Sequence, residues 1–179
     1  MRYLGLLLVL LGFHPASPPA LYAQQVTPVV PFGGIYELAE ATVMPDPTLD
    51  YQLVIDVVSG AEEPDSLAQG LHNVARMLNL FAVGGVPEEH VTVVLAIHGG
   101  ATFSVLRDEE YRRQYGTDNP NLPLLRALKD SGVRLTVCGQ SLIGRRIPPD
   151  MVAPEVEIAT SMLTTVAMYQ MRGYGMLRF

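Results

Sequence analysis

The chain has a single cysteine, Cys138, and no tryptophan in its 179 residues. One cysteine excludes an internal disulfide framework and any zinc or iron–sulfur site built from several thiolates of this chain. Basic residues are few: Lys and Arg number 12 against 18 Asp and Glu, a net charge of -6, and they are scattered instead of forming a stripe. No nucleic-acid partner is expected from such a surface. Also missing are a G-x-G-x-x-G after the first strand, a G-x-x-x-x-G-K-[ST] and a G-x-S-x-G. Dinucleotide binding, P-loop hydrolysis and serine hydrolysis are therefore disfavoured. The four histidines show no metal-ligand spacing, and neither a metal nor another cofactor is expected.

What is present suits one ordinary domain: 49% of residues are hydrophobic and 17% charged, with a mean hydropathy of +0.23, enough to bury a core. Met1-Arg2-Tyr3 and the apolar run Leu4 to Phe13 have the shape of a secretory signal peptide spanning residues 1–23, with cleavage expected after Ala23. The run is too short for a bilayer, which needs about 20 apolar residues. The mature protein is expected to be periplasmic or secreted, with no stable membrane insertion once the signal is removed.

Residues 24–50 hold Pro28, Pro31, Pro45, Pro47 and the Gly33-Gly34 pair, which leave no room for a useful helix. This segment reads as an extended arm, draped over its own domain or over a neighbouring subunit. Within it, Ile35-Tyr36-Glu37-Leu38 alternates enough to add an edge strand.

From Tyr51 onwards a strand-then-helix rhythm sets in over residues 51–179. Gln52 to Val58 is a β-branched run, and Leu67, Leu71, Val74, Met77, Leu78 and Phe81 fall at helical spacing within Ser66 to Val83. Asp65 or Ser66 is the expected N-cap. Val91 to Ile97 is apolar enough that both faces of that strand should be covered. A short helix is expected around Tyr111-Arg112-Arg113, a longer one over Leu122 to Lys129, and a third strand over Val133 to Val137. Helical turns at Leu142 to Ile147, a strand at Val156 to Ile158, a helix at Thr160 to Met171 and a last strand at Tyr174 to Arg178 complete the pattern. It predicts an α/β domain in three layers, with a mostly parallel central sheet of about five strands between two helical layers.

In open sheets of this kind chemistry collects beyond the carboxyl ends of the strands. Cys138 sits where the third strand meets a helical turn, where backbone N–H groups favour a thiolate. The competing reading is a small apolar residue closing a core strand. His98 ends the second strand at Gly99-Gly100; it either serves the thiol as acid or base or hydrogen-bonds locally. Gly139, Gln140 and Ser141 follow the cysteine, and Asn73, with His72, begins the first helix at the same edge. Arg145 and Arg146 offer an anion site or a solvated helix end, and Glu62 and Glu63 read as loop charges.

The segments Tyr51 to Val57, Gly70 to Asn79, Val94 to Thr102, Asn119-Pro120-Asn121-Leu122 and Val137-Cys138-Gly139-Gln140-Ser141 together resemble the DsrE/DsrF-like family, most closely its exported, signal-bearing branch. The resemblance implies a DsrE-like α/β/α fold assembled as a homo-oligomer, a trimer or hexamer. From the sulfur-relay members it implies a carrier or sulfurtransferase role: Cys138 accepts sulfane sulfur as a persulfide and passes it to a thiol partner, with a sulfur donor or acceptor protein as the other party. On this reading Cys138 and His98 are the catalytic pair, while Gly99, Gly100, Asn73, Gly139, Gln140 and Ser141 shape the binding pocket. The alternative is a non-enzymatic oligomeric binding or assembly module on the same fold.

Overall fold

A computed structural model of the chain describes residues 25–179; the expected signal peptide and its cleavage point lie outside the described residues. The chain runs β1 (Tyr51–Val57), α1 (Gln69–Val83), β2 (Val91–Ile97), α2 (Asp108–Tyr115), α3 (Leu122–Asp130), β3 (Arg134–Cys138), α4 (Gly139–Arg145), β4 (Glu157–Ala159), α5 (Met162–Met171) and β5 (Gly175–Arg178). The sheet order is β4-β3-β2-β1-β5, and all four neighbouring pairs are parallel.

That order decides where the helices go. Crossovers between parallel strands are right-handed, so the three steps from β1 to β4, all taken in one direction, place their helices on one face. The long step back from β4 to β5 places α5 on the other. The two cores follow. Ile55, Val57, Leu95, Ile97, Leu135 and Val137 pack with Leu71, Val74, Leu125 and Leu128 on the α1 and α3 side. Val54, Val94 and Ala96 pack with Val166 and Tyr169 on the α5 side. Strand order reverses at β1, which lies between β2 and β5.

Helix α1 buries Leu71, Val74, Ala75, Leu78 and Asn79, an i, i+3, i+4, i+7, i+8 stripe. Burying each large aliphatic side chain contributes about 1.5–3 kcal/mol. The expected N-cap is displaced: the helix starts after Ala68, with no side-chain cap. Ser66 Oγ instead closes a turn with Glu63, donating to its carbonyl at 2.8 Å and accepting its N–H at 3.1 Å. The buried Ala68 N–H donates to Asn121 Oδ1 at 2.7 Å.

The arm lies on its own domain. Asn79 Oδ1 accepts the N–H groups of Val29 and Val30, each at 3.0 Å, and its Nδ2 donates to the carbonyls of Val30, Phe32 and Gly33 at 3.1, 2.8 and 3.2 Å. Val30 and Ile35 are thereby buried. Gly33 has φ +62° and lies against the α1 backbone, where a Cβ would collide with the nitrogen of Arg76. The expected edge strand at Ile35 to Leu38 is reduced to one antiparallel bridge, Val26 to Ile35. The segment folds back on the arm itself and does not extend the sheet, whose edges are β4 and β5.

Candidate functional site

Cys138 ends β3 and is also the residue from which α4 starts. Its side chain lies on the α5 face and is only 4% exposed. The sulfur is 3.9 Å from the Oγ of Ser161, the N-cap of α5, whose hydroxyl oxygen also accepts the N–H of Leu163. Burial alone pushes the thiol up. Opposing it are the backbone N–H groups of Met162 and Ser141 and the hydroxyls of Ser141 and Ser161, and together they hold the thiol below its ordinary value. The sulfur thus sits where the first turns of two helices meet, with four donors able to stabilise negative charge.

His98 follows β2 in extended conformation. The ladder pairs Ala96 with Thr136 and Ile97 with Val137, so its next step brings His98 level with Cys138 on the neighbouring strand. The ring nevertheless turns the other way. Its Nε2 is 2.5 Å from Asp56 Oδ1, and Asp56, 3% exposed on β1, also has Arg178 Nε 3.5 Å from its other oxygen. Among the described residues no hydrogen bond joins His98 to Cys138; neither alternative read from the sequence anticipated the carboxylate. A buried carboxylate needs partners of this kind, so Asp56→Asn, which keeps the shape and removes the charge, should lower stability by about 1–3 kcal/mol. Denaturant midpoints measure the loss, and the His98 ring signals should shift with it; an unchanged midpoint would show that the pair is not stabilising.

The other sequence candidates scatter around this edge. Gly139 packs against β4, where a Cβ would come within 2.9 Å of the Ala159 carbonyl. Ser141 reaches the thiol by both its N–H and its hydroxyl, while Gln140 is exposed on α4. Gly99 has φ +57° and Gly100 lies over the loop after β1, lining a separate cavity on the α1 side of the sheet. Asn73 accepts a hydrogen bond from Gln69 on its own helix at 3.0 Å. Its neighbour His72 is held below the ordinary histidine value by partial burial and by the nearby Arg76. The Arg145 guanidinium lies 5.4 Å over the Phe103 ring and donates to the Ser141 carbonyl at 3.4 Å. Arg146 closes α4 in a left-handed conformation.

Asp56, Arg178 and Ser161 are the residues that sequence reasoning missed. An aspartate inside the run Leu53-Val54-Ile55-Asp56-Val57-Val58 was the available signal, since a charge in a strand covered on both faces must find partners. Among the described residues no group of His, Cys, Asp and Glu is placed to hold a metal ion.

An open parallel sheet with a cysteine at the end of a central strand, set against the starts of two helices, defines the class of protein. The DsrE/DsrF-like family matches residues 52–179, and the chain belongs to that family. It is similar in fold to a Methanobacterium thermoautotrophicum protein of unknown function, MTH1491, at 20% identity and a TM-score of 0.54, covering 73% of this chain and 100% of that one. The ychN protein from E. coli is 22% identical with a TM-score of 0.48, covering 72% of this chain and 99% of the other. No curated protein matches the chain.

Proposed function

We propose that this protein is an exported sulfur carrier of the DsrE/DsrF-like family, in which Cys138 holds sulfane sulfur as a persulfide. The observation that carries the reading is the donor set around Cys138, which favours the thiolate in spite of burial. The thiolate attacks the outer sulfur of a donor such as thiosulfate. A new S–S bond forms, the donor's S–S bond breaks, and sulfite leaves with the electron pair. The resulting persulfide is an anion that the same four donors can hold. A partner thiolate then attacks its outer sulfur, and Cys138 departs as the thiolate it was before. No metal or redox cofactor is required at either step.

Export rests on the leader over residues 1–23, and no helix among the described residues is long and apolar enough to cross a membrane. Assembly as a trimer or hexamer is part of the proposal. The outer side of α5 supports it: Leu163 and Met171 are 72% and 88% exposed, on a helix whose other side already covers the sheet, and contiguous exposed apolar surface marks an interface.

The test is the intact mass of the mature protein after incubation with thiosulfate or polysulfide, with and without reductant, beside Cys138→Ser. One reducible extra sulfur is expected in the wild type and none in the variant. An adduct retained by the variant removes Cys138 from the chemistry. Absence of an adduct in both favours the second reading, an oligomeric binding or assembly module, which the burial of the thiol supports.

A further inference from the structure

Beyond the carboxyl ends of β1 and β2, on the α1 side of the sheet, lies a cavity of about 320 Å³ that the sulfur chemistry does not use. None of the groups that donate to Cys138 lines it. One wall is aromatic: the Tyr115 ring centroid is 4.6 Å from that of Tyr111 and 5.9 Å from that of Phe103. The facing wall is the loop after β1, which brings Glu62 and Glu63 to the cavity. Neither glutamate forms an ion pair among the described residues.

The walls are fixed. The Tyr111 hydroxyl donates to the Pro64 carbonyl at 2.9 Å, tying α2 to the loop, and Gly60 lies so close beneath Gly100 that a Cβ there would come within 2.7 Å of its carbonyl oxygen. Ring faces carry negative potential, so both walls of the cavity attract positive charge. The aromatic cluster already seats one cation: Arg145 lies over Phe103, with its charge close to Tyr115 as well, and since Tyr111 is only 3% exposed, Tyr115 is the ring left for a ligand. An anion would meet Glu62 and Glu63, and a neutral ligand would gain nothing from them. The net charge of -6 adds long-range attraction of the same sign.

We propose that this cavity binds a small organic cation, an amine or quaternary ammonium with an apolar body. Cation–π contact with Tyr115 and charge pairing with the glutamates are the two sources of affinity.

The full mature protein, whose tyrosine fluorescence is free of tryptophan, is titrated with choline, with its uncharged isostere in which a quaternary carbon replaces the nitrogen, and with acetate. Saturable binding of choline is expected, about tenfold or more weaker for the isostere, with none for acetate. The exposed double variant Glu62→Gln/Glu63→Gln and the variant Tyr115→Leu should each weaken choline about three- to tenfold, with thermal unfolding confirming that both fold. Equal binding of the isostere, a preference for acetate, or no saturation by about 10 mM would overturn the proposal. So would choline binding untouched in both variants. Sulfur loading of Cys138 is read separately by mass, so either result stands without the other.

Discussion

Replacing Asn79 with alanine is expected to destabilise the domain by about 3 kcal/mol and to release the arm. Its amide carries five hydrogen bonds to the backbone of residues 29–33, and the side chain is fully buried. Each buried backbone group left without a partner costs about 1–3 kcal/mol, whereas each bond contributes about 1 kcal/mol net. Val30 loses partners for both its N–H and its carbonyl, so the cost concentrates there. Asn79→Asp separates the halves of the amide: it keeps the acceptor for Val29 and Val30 but replaces the donor with a buried charge facing three carbonyls, and should be no better than alanine. Urea midpoints give the stability, and hydrogen exchange at the Val30 amide reports the arm directly. A loss below about 1 kcal/mol with that amide still protected would mean that the arm is held by Val30 and Ile35 packing alone.

The parts of this fold that are legible in the sequence are those set by local pattern. The run Gln52 to Val58 announces a strand and Val91 to Ile97 one covered on both faces, the α1 stripe announces an amphipathic helix, and the placing of Cys138 and His98 at strand ends follows from strand boundaries alone. Partners from far away in sequence are not legible. Ala68 begins α1 because Asn121, 53 residues later, accepts its N–H; nothing near Ser66 reveals this, and Ser66 itself has a local use. His98 turns to a carboxylate 42 residues earlier, and only the sheet order, which sets β1 beside β2, brings the two together. Asn79 was visible as a polar residue within an apolar stripe, yet its ligand is an arm with no pattern of its own. The donors to Cys138 show the same division: Ser141 comes three residues after it, while Ser161 and Met162 arrive only because α5 crosses to the other face of the sheet.

The thiolate absorbance of Cys138 should rise at lower pH in the native protein than in the unfolded chain, and this difference should vanish in Cys138→Ser. The direction follows from the donors: the folded thiol lies below its ordinary value, so the thiolate is favoured more in the fold than in the unfolded chain, where a thiol titrates near about 8.5. By linkage this stabilisation is fully present above the unfolded value and is lost as pH falls through the folded one. The stability difference between wild type and Cys138→Ser should therefore grow with pH across the thiol range. Ser141→Ala and Ser161→Ala each remove one hydroxyl donor and should move the native titration upwards. Ser161→Ala also loses the N-cap of α5, at about 1 kcal/mol, so Ser141→Ala is the cleaner probe of the thiol. If the native thiol titrates at or above its ordinary value, burial outweighs the donors and Cys138 is a core residue that happens to end a strand. The sulfur-carrier reading would then lose the observation on which it rests, since a buried protonated thiol neither attacks a sulfane donor nor leaves readily when an acceptor takes the sulfur.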